Sequence, residues 1–246
     1  MKATRRMLCF AGRNAREILR DPLTLFFGLA FPLLLLLMLS LIQANIPADL
    51  FAINHLAPGV AVFGQSFLAL FSALLLARDR STAFLTRLYA TPLRAVDYLL
   101  GYALPLLPLA LGQGAAVYAV SLLLGLPFSG RLMLALAAGL IPALLYIALG
   151  LLCGTLLNDK QVGGICGALL TNLSAWLSGV WFDISLLGGA FGAVCRVLPF
   201  YHAVEGCRAA LNGGDALGHL LIVLAYALAL GALASWCFAR KMKKGE

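Results

Sequence analysis

Few side chains in this 246-residue chain are placed to carry covalent chemistry. His55, His202 and His219 are scattered, and no spacing suggests a metal site. The six cysteines form no C-x-x-C pair. Cys9 lies in the N-terminal helix, Cys153, Cys166 and Cys237 fall in or beside apolar segments as small fillers, and Cys195 and Cys207 share one side, where an oxidising compartment would allow a bridge. No Ser/His/Asp, paired-carboxylate or Cys/His arrangement is visible. No lysine follows a glycine, so the phosphate-cradling G-x-x-x-x-G-K-[ST] loop is absent. Asp97, Asp159, Asp183 and Glu205 sit near the ends of apolar segments. That argues against a proton- or ion-coupled carrier, which needs a carboxylate or histidine relay inside the membrane. Glu205 is read as a surface salt-bridge partner of Arg208 or Arg196. The stretch that stands out is Arg78 to Gly101, RDRSTAFLTRLYATPLRAVDYLLG, a basic segment between two strongly apolar ones. Phe84, Leu85, Leu88 and Tyr89 recur at helical neighbour spacing, Ser81 or Thr82 is placed to cap that helix, and Thr91-Pro92 ends it. Periodicity alone describes an amphipathic helix on lipid headgroups or a surface built to be gripped by a partner.

The elements around that stretch are apolar. The chain is 62% hydrophobic and 11% charged, with a mean hydropathy of +0.96, against about 45–50% and about 25% in soluble domains. This composition predicts one integral membrane domain, 1–246, with no separate soluble domain. A spanning helix needs roughly 20 apolar residues, and six candidates are found at about 23–42, 58–77, 102–124, 131–157, 162–182 and 216–239. Before them, 1–21 is an amphipathic interfacial helix: Leu8, Ala11, Ala15, Ile18 and Leu19 on one face, Arg5, Arg13, Arg16 and Arg20 on the other. Asp21-Pro22 is placed to cap and start the next helix. Segment 183–215 is apolar, Gly-rich and broken by Pro199, which reads as re-entrant half-helices before the last span. The net charge of +8 is concentrated at alternate ends of the spans, a topology signal rather than a nucleic-acid surface. It places both termini in the cytoplasm, with anionic-lipid binding as a by-product.

The fold class expected is therefore an all-α integral membrane domain of six transmembrane helices. The loop STAFLTRLYATPLRAVDYLLG resembles the segment between the second and third spans of type-2 ABC exporter permeases. The matching positions are Thr82, Phe84, Arg87, Leu88, Thr91, Pro92, Tyr98, Leu100 and Gly101. LAPGVAVFG (56–64) is similar to their entry to span two, LPFYHAVEGCRAALNGG (198–214) to the segment before span six, and the Arg-rich N-terminal helix to their connecting helix. This chain has Arg80 and Ser81 where many relatives carry an acidic residue and a glycine.

The resemblance implies a permease subunit that is not itself an enzyme. It implies two copies, or a sister pair, on separate P-loop ATPase subunits that bind ATP and Mg while this chain binds no cofactor. Thr82, Phe84, Leu85, Arg87, Leu88, Tyr89 and Pro92 would form the ATPase-coupling helix, and Gln65, Phe67, Thr171, Asn172 and Trp176 would touch cargo. The residue-level alternative for the polar ones is interhelical hydrogen bonding. An apolar path suits amphiphilic or lipid-like cargo (drug, peptide or lipid), exported across a bacterial plasma membrane. The rival readings are a stand-alone transporter or channel without an ATPase, and a membrane-embedded enzyme. Gly150-x-x-x-Gly154 and Gly163-x-x-x-Gly167 both fit close helix packing.

Overall fold

A computed structural model of the chain describes residues 3–46, 51–82, 94–181, 184 and 189–244, and among these every regular element is helical. Helix α1 is Ala3–Arg20, and α2 is Pro22–Gln43, with a π-helical stretch at Phe26–Ala30. Helix α3 is Ile53–Ser81, broken once at Ser66, α4 is Ala95–Leu123, broken at Leu104-Pro105, and α5 is Arg131–Leu156, broken at Gly139. Helix α6 covers 159–177, π-helical over Gly163–Leu170. Helices α7, α8 and α9 are Gly189–Val197, Pro199–Asn212 and Ala216–Lys244.

Five of these, α2, α3, α4, α5 and α9, are long and apolar enough to cross a membrane. The expected crossing at 162–182 is not among them. Its helix starts on the polar turn Asp159-Lys160-Gln161, and the last polar residues before Leu177 include Thr171, Asn172 and Ser174. Helix α6 nonetheless lies along much of α3. It starts beside the second half of α3, and just beyond it the Gly179 carbonyl accepts from Arg208 Nη2 (3.0 Å), whose Nε donates to the His55 carbonyl at the start of α3.

Helix α3 is the hub. In its most apolar window 89% of residues are buried inside the protein, against 22% for α2 and α9. It begins five residues before Pro58, earlier than Pro58-Gly59 suggested. Pro58 has no N–H to give the Asn54 carbonyl four residues back. Asn212 Nδ2 of α8 donates to that carbonyl instead (3.1 Å), so the helix continues through the proline. Helix α5 lies against α3 at backbone distance. A Cβ on Gly150 would overlap Ser72 Oγ and the Ala69 backbone, and one on Gly154 would stand 2.9 Å from Ala73 Cα. The small residues Ala69, Ser72 and Ala73 on α3 thus complete the glycine pair. The second glycine pair does not do this: a Cβ on Gly163 meets nothing within 4 Å, and one on Gly167 makes ordinary contact with Leu70. Phe27 and Phe31 of α2 pack on Phe67 of α3 at ring separations of 5.3 and 5.6 Å.

Candidate functional site

One polar constellation lies inside this apolar bundle, where α1 crosses the end of α3 and the start of α4. Helix α3 does not stop at Ala77; it continues to Ser81 and carries Asp79 inward, with 6% of its side chain exposed. Arg13 of α1 grips that carboxylate with two parallel bonds, Nη1 to Oδ2 at 2.6 Å and Nη2 to Oδ1 at 2.9 Å. Tyr102 of α4 donates its hydroxyl to Oδ2 at 2.8 Å. With three donors the carboxylate is well satisfied. Arg13 Nη2 also meets Glu17 one turn on, at 2.9 Å. Burial works against the Arg13 charge. The hydrogen bonds and charge of Asp79, with the charge of Glu17, outweigh it and hold the guanidinium above its ordinary pKa.

The polar grip sits on a close apolar contact. Asn14 is fully buried and donates Nδ2 to the Gly101 carbonyl at 3.0 Å. A Cβ on Gly101 would overlap the Phe10 ring, so the glycine lets α1 lie directly on α4. Phe10 meets Tyr102 and Tyr98 edge-on, at 4.9 and 6.2 Å. Beside the ion pair a cleft of about 590 Å³ is bounded by Arg13, Arg16, Arg20 and Arg78, with Glu17 and Asp21 as its carboxylates. The cleft is therefore net basic.

Arg80, next along, does not face outward. Its Nη1 donates to the carbonyls of Gly154, Thr155 and Leu157 at the C-terminal end of α5. Those carbonyls have no partner in their own helix, and a cation there also opposes the helix dipole. The hydroxyls of Ser81 and Thr82 donate back to the carbonyls of Arg78 and Asp79, finishing α3. Of the expected coupling residues, Thr82 is exposed at that end, while Phe84, Leu85, Arg87, Leu88, Tyr89 and Pro92 lie outside the described residues.

The expected cargo residues divide. Gln65, Phe67 and Thr171 are buried within the protein, at 3%, 6% and 5% exposure. Thr171 donates to the Cys166 carbonyl (2.9 Å) across the π turn, and Gln65 Oε1 has no hydrogen-bond partner among the described residues. Asn172 and Trp176 are exposed on α6.

At the opposite end of α3, Arg208 joins Glu205 (2.8 Å) to the His55 and Gly179 carbonyls. The histidines are not all scattered. His202 Nδ1 and His219 Nδ1 are 2.8 Å apart, and His202 Nε2 faces the Arg196 carbonyl at 2.8 Å. A carbonyl only accepts, so with His202 neutral its Nε2 carries the proton and His219 Nδ1 is the donor. No group of three His, Cys, Asp or Glu able to hold a metal occurs among the described residues. Cys195 and Cys207 are buried free thiols.

Arg13, Asp79 and Tyr102 are 66 and 23 residues apart, and the sequence reading passed over Asp79 as part of a basic loop. The available signal was an acid between two arginines, Arg78-Asp79-Arg80, two residues beyond an apolar run.

A model of the ABC-2 type transporter family matches residues 7–212. The match takes in α1 from Met7 onward, the Asp79 junction and all elements up to the end of α8. The chain belongs to the ABC-2 type transporter family. A search of curated proteins returns no match. As an ABC-2 type permease domain it is a multi-pass membrane protein of transport, and the Asp79 junction is the polar tie that fastens its N-terminal helix to its central helix.

Proposed function

We propose that this permease is the membrane-spanning subunit of an ATP-driven exporter, paired with a second permease copy on separate P-loop ATPase subunits. Segment 83–93, with Thr82 at its edge, is the docking element. The observation that carries this reading is the Asp79 junction. The segment leaves α3 at Thr82 and rejoins the described chain at Arg94, and α1, the end of α3 and the start of α4 are bonded together between those points. A push on the segment therefore loads three helices at once, and α3 conveys it to the centre of the bundle.

Six crossings are part of the proposal. Helix α6 is about 28 Å long at 1.5 Å per residue, close to the roughly 30 Å hydrocarbon thickness, and it lies along much of α3. Helix α1 then lies in the interface with Leu8 and Leu19 exposed beside its arginines, and α7 and α8 are re-entrant. The end carrying Asp79 gathers α1 and the C-terminal Arg240, Lys241, Lys243 and Lys244, which the positive-inside rule places in the cytoplasm of a bacterial plasma membrane. Cargo is amphiphilic or lipid-like, passing between copies along Asn172 and Trp176, with Gln65, Phe67 and Thr171 reached when the bundles tilt. ATP and Mg sit on the partner.

The test is affinity capture of the tagged chain in mild detergent, with mass spectrometry of co-purifying proteins. A near-stoichiometric P-loop ATPase, lost in Phe84→Asp/Leu88→Asp while the spans stay folded, is expected. A stable oligomer with no ATPase would refute the reading and favour a stand-alone transporter.

A further inference from the structure

A groove of about 680 Å³ runs along the outside of the bundle between the first turns of α4, the second half of α5 and the second half of α9. Its walls are Leu, Val, Ile, Ala and Gly, with Ser235 and Trp236 the only lining side chains among the described residues that carry a polar atom. Small residues make the space. A Cβ on Gly231 would meet nothing within 4 Å, and Ala148 and Ala227 face it from α5 and α9. Trp236 walls the end nearest Asp79 and is 51% exposed. The Arg240 guanidinium lies over its ring, 3.8 Å from the centroid. Stacking fixes that cation at the mouth of the groove, and Lys241, Lys243 and Lys244 follow it with no acid before Glu246. Across the mouth, Arg94 caps α4, and the Asp97 carboxylate one turn on already accepts from the Arg94 N–H at 3.0 Å.

We propose that this groove holds an anionic phospholipid, its acyl chains along α9 and its phosphate at Arg240. The inference rests on the membrane character of the chain and not on the ATPase partnership. Size separates the occupants. A leaflet is about 15 Å deep and carbon atoms pack at about 4 Å. One acyl chain therefore fills about 200 Å³ and two about 400 Å³, so both fit within the volume available. Three turns of a helix about 10 Å wide need about 1,300 Å³, so the groove does not enclose a helix from a second copy. The apolar walls with a basic mouth match a ligand that is apolar along its length and negative at one end. A cation at the surface of an anionic bilayer favours acidic lipid by about fivefold.

The test uses the full chain in vesicles of equimolar phosphatidylglycerol and phosphatidylcholine, with bromine on one lipid at a time as a tryptophan quencher. Trp236 is isolated from Trp176 and Trp181 by difference against Trp236→Phe. The expected result is Trp236 quenching that reports about fivefold enrichment of phosphatidylglycerol. Arg240→Gln brings this close to unity, and Gly231→Leu, which fills the groove without removing charge, lowers quenching by both lipids. Equal quenching by the two lipids in the unaltered chain, or a preference that survives Arg240→Gln, overturns the proposal. So does a disulfide between copies carrying Leu228→Cys, which would assign the groove to a second chain. Loss of the captured ATPase bears on the proposed function only and leaves this test intact.

Discussion

Removing Arg13 isolates the contribution of the Asp79 junction. Arg13→Ala leaves a carboxylate that is 6% exposed with only the Tyr102 hydroxyl. Breaking one side of a buried ion pair costs about 3–5 kcal/mol. Arg13 itself is 40% exposed, so water offsets part of that, and about 2–3 kcal/mol is expected for α1 detaching from α3. Asp79→Asn keeps the shape and the Tyr102 bond, and the freed Arg13 retains Glu17 and solvent. It should cost about 1–2 kcal/mol, the net worth of a charge-assisted hydrogen bond. The double variant strands no charge and should cost about as much as Arg13→Ala alone, a coupling of about 1–2 kcal/mol. Hydrogen exchange of the α1 amides in lipid nanodiscs reads this directly. At 1.4 kcal/mol per tenfold, Arg13→Ala raises α1 exchange about 30- to 150-fold, while Arg16→Ala, on the exposed face, leaves it within about twofold. Equal exchange in the two single variants, or strict additivity in the double, would refute the junction as the tie that holds α1.

Three further outcomes follow from the packing. Gly154→Val is expected to destabilise the chain by about 1–3 kcal/mol, because Ala73 Cα already sits 2.9 Å from the first added atom; Gly163→Ala, facing open space, should be neutral or slightly stabilising, and thermal unfolding in detergent separates the two. Arg80→Gln removes the cation from three terminal carbonyls of α5, so exchange over 153–157 should rise about tenfold with little change elsewhere. His219→Ala deprives His202 Nδ1 of its 2.8 Å partner and should lower the melting temperature by a few degrees, with recovery in His219→Asn, whose amide can donate there.

Five of the six expected apolar spans and the helical character of α1 were legible because both are periodic or compositional signals carried by neighbouring residues. Asp21 and Pro22 were legible for the same reason: the Asp21 carboxylate accepts from Leu23 N and Thr24 Oγ1, a contact made within one turn. What escaped reading depends on residues distant in the chain. Asp79 reads as solvated until Arg13 and Tyr102 are brought to it. Pro58 reads as a helix start until Asn212 supplies the missing donor. The two glycine pairs look alike in sequence, and only the one opposite Ala69 and Ala73 is closely packed. His202 and His219 meet because the turn at Gly213-Gly214, with φ of +93° and +145°, folds α9 back against α8.

The placement of these ties constrains how the proposed exporter could move. Sliding α3 along α5 is disfavoured, because residues bulkier than Ala69, Ser72 and Ala73 would come opposite Gly150 and Gly154, and close-packed interfaces switch between discrete arrangements rather than deform continuously. At one end Arg80 locks α3 to the last turn of α5. At the other, Arg208 and Asn212 lock it to α8 and to the segment after α6, and Arg131 holds the start of α5 to the Asn212 carbonyl. Helices α3, α5 and α8 then move as one body, with α1 attached through Asp79. The larger exposed apolar areas lie on α2 and α9, each 22% buried over its apolar window. In the proposed exporter a push at segment 83–93 would be converted into a tilt of the tied core against those outer surfaces, with α1 held to that core by the Arg13–Asp79 pair and by the Asn14 and Phe10 contacts with α4.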